Sequence, residues 1–545
     1  MFGLMQDWPL LIHKIIDFAA EQHGHQHVVT RSVEGPITRC TYKDVRLRAL
    51  KLAQLLDRAG IKAGDRIATL AWNTARHMES WYGITGIGAI YHTINPRLFP
   101  EQIVWIINDA QDRMIFIDLT FVPLIEKIAP QLPSLEKIIV LTDAQHMPQS
   151  GLKGLICYED WLNEADGDFR WASFDERTAA GLCYTSGTTG NPKGVVFSHR
   201  SNVLHALANS GPDALAVSSR STILAVVPLF HANSWSIAFA APMGGAKLVM
   251  PGAKLDGASI YELLENEQVT FTAGVPTVWM MLLNYMAAEQ KSFSSLKRVA
   301  IGGAAAPRVM IQTFEEDYGV EVLHAWGMTE MSPLGSIGAV KSHLRFLEKD
   351  ALLDLKVKQG YPMFGVEMRI VDDDNRPLPW DGHTFGRLQV RGCAVASSYF
   401  GGTPGDILDQ DGYFDTGDVA HIDAHGYMQI TDRSKDVIKS GGEWISSIEI
   451  ENLAVGHPDV LEAAVIATPH PKWDERPLLI VVAKAGHHPA KSDILNFLRG
   501  KIASWWMPDD VQFVDEIPHT ATGKINKLRL REVFKSYVLP TGESR

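Results

Sequence analysis

Apolar residues at the start of the chain recur at helical spacing. Leu10, Leu11, Ile15, Ile16, Phe18 and Ala19 share one face, with Asp7-Trp8-Pro9 before them and Gly24 beyond, which predicts a capped helix carrying proline in its first turn. Thr41-Tyr-Lys-Asp44 opens a second helix, with Leu50, Leu52, Ala53, Leu55 and Leu56 on its apolar side and Gly60 as its stop. Short strand-like runs then alternate with helical segments: strands at 67–71, 90–93, 114–118 and 137–141, helices at 74–84, 100–109 and 121–129. The alternation resumes with strands at 222–228, 247–250, 270–272 and 298–301. Such a pattern predicts parallel, doubly wound α/β sheets.

From residue 364 the texture changes. Strands at 366–371, 386–390 and 427–431 are separated by Asp/Gly/Asn/Pro turns, which reads as a β-rich subdomain. After 432–442 come strands at 463–468, 478–484 and 511–515 and a helix at 492–504, the pattern of a small α+β module. The expected organisation is an N-terminal domain over 1–431 with its β-rich part at 364–431, a hinge at 432–436, and a small mobile α+β lid domain over 437–545.

At 545 residues the chain exceeds what one hydrophobic core fills, in agreement with several domains. A net charge of −12 disfavours nucleic acid and anionic lipid as partners, so a polyanionic ligand must be met by a local cluster of cations. Cys40, Cys157, Cys183 and Cys393 have no disulfide or zinc-ligand spacing, which suits a reducing compartment. Charges at Asp7, Lys14, Asp17 and Glu21 break up any signal-peptide core, and the most apolar stretch, 236–251, contains Pro242, Gly244, Gly245 and Lys247. A soluble, cytoplasmic protein without stable membrane insertion is expected.

The strongest chemical signal is Tyr184-Thr-Ser-Gly-Thr-Thr-Gly-Asn-Pro-Lys-Gly194. Its hydroxyls and glycines (Thr185, Ser186, Gly187, Thr188, Thr189, Gly190) bring backbone N–H groups close to a ligand, and Lys193 adds a cation, which makes a phosphate cradle. Pro192 before Lys193 and Gly194 after it exclude a Walker A loop. Glu330 in Gly-Met-Thr-Glu is a carboxylate suited to holding Mg²⁺ beside a triphosphate. Asp418 in Thr-Gly-Asp suits the paired hydroxyls of a ribose. Lys524, in a Thr/Gly loop near the end of the small module, is a long cationic arm that a domain motion can bring to a site or remove.

Thr185–Gly194 resembles the phosphate loop of the adenylate-forming superfamily, which holds acyl-CoA synthetases, beetle luciferases and peptide-synthetase adenylation domains. Further matches follow in order: Val227-Pro-Leu-Phe-His-Ala232, Gly302-Gly-Ala304, Ala325-Trp-Gly-Met-Thr-Glu330, Tyr413-Phe-Asp-Thr-Gly-Asp418, Asp432-Arg-Ser-Lys-Asp-Val-Ile-Lys-Ser-Gly-Gly442 and Thr522-Gly-Lys-Ile525. The likeness spans about residues 40 to 530. It implies that Thr185 and Glu330 serve the metal, that Asp418 and Arg433 meet ribose or phosphate, and that Lys524 bridges carboxylate and nucleotide as acyl-AMP forms. It also places Gly302, Gly303, Ala304, His324, Ala325, Trp326, Gly327, Met328 and Thr329 around the nucleotide. Lys439, Gly441, Gly442 and Trp444 fall where the pantetheine arm of CoA passes, and Lys435 falls at the hinge. His231, Trp235, Gly302, Gly303, Gly327, Met328 and Pro333 match the walls of the acyl pocket. His231 joins Lys524, Thr185 and Glu330 among the catalytic candidates as a wall of that pocket, not as an acid or base.

The implied cofactors are ATP, Mg²⁺ and coenzyme A, and the implied reaction is AMP-forming ligation of a carboxylate to CoA. Gly441-Gly-Glu-Trp-Ile-Ser-Ser447 looks like the branch with medium-chain fatty acid ligases and bacterial 3-methylmercaptopropionate-CoA ligases of dimethylsulfoniopropionate breakdown, and His231, Trp235 and Pro333 lean toward the second group. Members of this branch are often homodimers. A medium-chain ligase, a free-standing adenylation enzyme loading a carrier protein, and an oxygenating luciferase stay open as alternatives, and a non-catalytic nucleotide-binding scaffold is disfavoured by the complete set Thr185, Glu330, Asp418, Arg433 and Lys524.

Overall fold

Runs such as Met114–Ile117 and Ile90–Thr93 are buried at every position, as strands of a parallel sheet covered on both faces must be. The computed structural model describes residues 1, 3–185, 191–434, 436–441, 443–520 and 524–540, with the backbone alone at Glu443 and Trp444. Ser186, Gly187, Thr188, Thr189, Gly190, Lys435 and Gly442 lie outside the described residues, as do Thr522, Gly523 and the side chain of Trp444.

Two large sheets form the first part of the chain. A seven-stranded sheet runs in the order Leu155–Cys157, Lys137–Val140, Met114–Ile117, Arg66–Leu70, Ile90–Thr93, Ala179–Tyr184, Gly194–Ser198, parallel except for the last pair. A nine-stranded sheet is parallel from Glu321–Gly327 through Arg298–Ile301, Phe271–Gly274, Thr222–Ala225 and Lys247–Met250 to His27–Arg31, with antiparallel strands at both ends. One apolar core lies between them, centred on Trp81, Tyr91 and Phe239. Trp81 stacks on Tyr91 with ring centres 4.4 Å apart, a contact worth about 0.5–1.5 kcal/mol beyond the area it buries.

The β-rich part is a four-stranded antiparallel sheet, Val366–Val371, Gly386–Gly392, Phe414–Ile422 and Met428–Arg433. The small module is a five-stranded sheet around the long hairpin Val460–His470 and Asp474–Ala483, with helices Ser447–Val455 and Lys491–Leu498 over its core.

Several boundaries differ from the expectations, each for a tertiary reason. The first helix runs His13–Gln22. Leu10 donates its N–H to Glu176 and Ile12 donates to His199 Nδ1, so long-range partners take the N–H groups ahead of the helix. The helix expected over 492–504 stops at Leu498, where Gly500 has φ +80° and residues Arg499 and Ile502 pair. The hairpin His27–Arg31 and Ile37–Thr41 escaped the sequence reading because its first strand completes a sheet with Lys247–Met250, more than two hundred residues away. Met428–Arg433 extends through Arg433 because Val419 pairs with Asp432 and Asp418 with Arg433.

Candidate active site

Parallel sheets gather ligands at the carboxyl ends of their strands. Ala179–Tyr184 ends at Thr185, Arg298–Ile301 at Gly302 and Gly303, and Glu321–Gly327 at Met328, Thr329 and Glu330. These ends open onto a cavity of about 770 Å³, which the small module covers with Lys524, Asp436 and the Ile525–Leu528 segment. Ala325, Trp326, Gly327 and Pro333 line it, together with Arg433, His231 and Trp235.

Glycine is required at two places here. A Cβ on Gly327 would lie 2.2 Å from the Pro333 carbonyl oxygen, and one on Gly302 would lie 2.9 Å from both the Ala325 oxygen and the Trp235 ring. Both glycines therefore let backbone walls close together, which narrows the cavity at its inner end.

Charges crowd the opposite end. Arg433 Nε donates to Asp418 Oδ1 at 2.9 Å and Trp326 Nε1 donates to Asp418 Oδ2 at 3.0 Å. Burial pushes the Asp418 carboxyl above its usual range, while Arg433 and Lys524 pull against that rise. Asp418 sits behind Trp326 and Arg433, and each of its oxygens retains capacity for a second hydrogen bond. Lys524 is brought down to about 8 by burial and by Arg433, with Asp418 and Glu330 opposing. Thr520 donates its N–H to the Lys524 carbonyl at 2.7 Å, and His519 pairs with Glu462.

Glu330 is buried and accepts from the Tyr399 hydroxyl at 2.9 Å through Oε1, while Oε2 has no hydrogen-bond partner among the described residues. Lys193 lies 4.7 Å over the Tyr399 ring. A chain of contacts thus joins Lys193 to the Glu330 carboxylate. Thr185 donates its N–H to the Lys193 carbonyl at 2.9 Å.

His231 is held near 4 by burial, Lys524 and Arg97, so it is neutral at ordinary pH and serves as a wall. Behind it a second cavity of about 150 Å³, lined mostly by apolar residues such as Val226, Leu255, Val278 and Met281, shares His231, Trp235, Gly303 and Lys524 with the first. Trp235 is carried on a left-handed turn over 232–236, whose five residues all have positive φ. Such backbone costs about 1–2 kcal/mol per residue without glycine, so the turn is held by its surroundings.

Some expected residues fall elsewhere. His324 is a core histidine: its Nε2 accepts from Ala306 at 3.1 Å and its Nδ1 lies 2.7 Å from the Val357 carbonyl. Ala304 is exposed and does not line the cavity. Lys439 and Gly441 are exposed on the small module, Lys439 donating its N–H to Glu475, and this arrangement keeps both out of the cavity. Other lining residues were not foreseen. Asn95 and Arg97 follow the strand Ile90–Thr93, a position that the strand-end rule could have flagged. Outside the lining, Tyr399, the hydrogen-bond partner of Glu330, lies 69 positions from it in sequence, and no spacing signals it.

The fold is that of an adenylate-forming enzyme. The chain belongs to the AMP-binding enzyme family: that family's model matches residues 16–400, and the AMP-binding enzyme C-terminal domain matches 449–524. It is 48% identical to a 3-methylmercaptopropionyl-CoA ligase of Ruegeria lacuscaerulensis, over 98% of this chain and 99% of that one. It is 47% identical to a medium-chain-fatty-acid–CoA ligase of Ectopseudomonas oleovorans over the full length of both. Among solved structures, the anthranilate CoA ligase AuaEII in complex with anthranoyl-AMP superposes with a TM-score of 0.85 at 26% identity, covering 97% of this chain and 99% of that one. No helix among the described residues is long and apolar enough to cross a membrane.

Proposed function

We propose that this AMP-forming acyl-CoA ligase activates a short-chain carboxylic acid, 3-methylmercaptopropionate first among candidates, with medium-chain fatty acids as the second reading. The observation that carries the proposal is the junction of the two cavities: Lys524 lines both, beside His231 and Trp235. An acyl tail in the apolar chamber leaves its carboxylate at the lysine, facing the nucleotide end.

A carboxylate is a poor acceptor for a thiol, so it is activated first. One carboxylate oxygen attacks the α-phosphorus of ATP, the bond to the β-phosphate oxygen breaks, and pyrophosphate leaves. The CoA thiolate then attacks the acyl carbon and AMP departs. The protein contributes alignment and charge compensation. Lys524 orients the carboxylate, Asp418 and Arg433 hold the ribose and phosphate, and Thr185 with Lys193 meets the phosphates.

Glu330 and Thr185 offer oxygen donors of the kind Mg²⁺ takes, and Glu330 Oε2, without a hydrogen-bond partner among the described residues, fits that role. Bound there, Mg²⁺ would neutralise the departing pyrophosphate. Lys439, Gly441, Gly442 and Trp444 act in the second half-reaction, reaching the site when the small module turns about Lys435.

The names of the two relatives given above support a short to medium chain, and the small volume behind Trp235 favours the shorter. CoA-dependent AMP release across acetate, butyrate, methylmercaptopropionate, octanoate and decanoate tests this. The highest kcat/KM is expected for methylmercaptopropionate or butyrate. A preference for octanoate or decanoate selects the medium-chain reading, and carboxylate-dependent adenylation that ignores CoA selects loading of a carrier protein.

A further inference from the structure

The left-handed turn behind the acyl chamber is the most constrained backbone near the site. Ala232, Asn233, Ser234, Trp235 and Ser236 have φ of 42°, 60°, 53°, 52° and 68°. Non-glycine residues keep such angles in sequence only where neighbours over-determine them. Tyr91 Oη donates to Asn233 Oδ1 at 2.7 Å, and Asn233 Nδ2 donates to Asn202 Oδ1 at 3.0 Å. Ser234 Oγ donates to the Val227 carbonyl at 2.7 Å, and Asn209 Nδ2 donates to the Trp235 carbonyl at 3.1 Å. The Tyr91 ring is locked in turn by its stacking on Trp81.

Asn202, His205 and Asn209 stand at i, i+3 and i+7 on the helix His199–Asn209, one stripe of its surface. Asn202 and Asn209 grip the turn, while His205 Nε2 lies 3.0 Å from the Leu334 N–H, next to Pro333 on the other wall. A single helix face thus holds both the turn that carries Trp235 and the Leu334 backbone, and Trp235 and Leu334 line the larger cavity. Among the described residues, Asn209 Oδ1 and Ser236 Oγ are buried without partners, a cost retained where geometry serves function.

We propose that Asn233 is a specificity-determining positioning residue: clamped between Tyr91 and Asn202, it holds the left-handed turn that keeps Trp235 as the partition between the two cavities, and so sets the acyl length accepted. Asn233 touches no reacting atom. The proposal rests on the acyl-pocket reading above, and the test separates the two.

The kcat/KM values for butyrate and octanoate are measured for Asn233→Gly, Tyr91→Phe and Trp235→Ala. Glycine at 233 tolerates the positive φ but loses both hydrogen bonds, and Tyr91→Phe loses only one and keeps the packing. Both variants are expected to raise the octanoate-to-butyrate ratio at least fivefold, through the carboxylate KM, with the ATP KM within twofold of the parent. Asn233→Asp, which still accepts from Tyr91, is expected to fall between. If Trp235→Ala shifts the ratio and neither Asn233→Gly nor Tyr91→Phe does, the proposal is overturned and the pocket reading stands. If Trp235→Ala shifts nothing, both are overturned. A uniform loss on every chain length in the two clamp variants, with a raised ATP KM, assigns Asn233 a structural role only and overturns the proposal.

Discussion

At its nucleotide end the cavity is walled by charges that balance one another: Arg433 on Asp418 at 2.9 Å, and Lys524 under the opposing influence of Arg433, Asp418 and Glu330. At its acyl end it is walled by Trp235, Gly302, Gly303 and Pro333, with the turn bearing Trp235 fixed by a hydrogen-bonded clamp. The first set is carried on the strands Phe414–Ile422 and Met428–Arg433, on the turn after Glu321–Gly327 and on the small module. In the second, Trp235 belongs to the core between the two large sheets. Charge acts over distance and serves any carboxylate, so its carrier can arrive and leave with a domain. Apolar discrimination is short-ranged, because a buried methylene is worth only about 0.8 kcal/mol. A chain-length limit therefore needs rigid walls.

The largest effect is expected from the charged end. Lys524→Ala should slow acyl-AMP formation by about 10²–10³, the scale of losing one preorganised charge-stabilising group. The same variant should still convert supplied acyl-AMP and CoA to thioester at close to the parent rate. Single-turnover measurement of each half-reaction checks this, and equal losses would make the lysine structural. Glu330→Gln keeps the shape and removes the charge, so turnover at limiting Mg²⁺ should fall by roughly tenfold or more and recover partly as Mg²⁺ is raised. Unchanged turnover at limiting Mg²⁺ would remove the metal role.

The acyl end should respond differently. Trp235→Ala should lower kcat/KM for butyrate by about tenfold and raise it for octanoate, on the scale at which apolar pockets discriminate. The ATP KM should stay constant. Uniform loss across chain lengths would make Trp235 a core residue and erase the contrast between the two ends.

The smallest effect is that of pH. Lys524 titrates near 8, so it is charged below that value and loses its proton as pH rises through it. Adenylation should therefore fall by about half at pH 8 relative to pH 7, while thioester formation from supplied acyl-AMP lacks that dependence. In Lys524→Arg the decline should vanish, because guanidinium stays protonated.

The two ends were not equally legible in the sequence. Thr185, Glu330, Asp418, Arg433 and Lys524 stand in ordered local motifs, and a local motif is readable whether its residue follows a strand, as Thr185 does, or lies within one, as Asp418 does. The alternating apolar runs likewise revealed the parallel sheets, because a buried strand is apolar on both faces. What escaped depends on partners remote in sequence. The strand His27–Arg31 pairs with Lys247–Met250, and Asn233 is clamped by Tyr91, 142 positions away. His324 shows the converse: it is adjacent to a nucleotide motif yet faces the core, where Ala306 and Val357 hold it. A strand's side chains alternate between faces, so adjacency in a motif does not confer adjacency in the site.

The most direct measurement is ATP–pyrophosphate exchange in the absence of CoA. A two-step reaction with a bound acyl-adenylate predicts exchange that requires the carboxylate, is abolished by Lys524→Ala, and is fastest with the acid that best supports thioester formation. Exchange that proceeds without any carboxylate, or none until CoA is added, would contradict the assignment of this cavity to acyl-AMP formation.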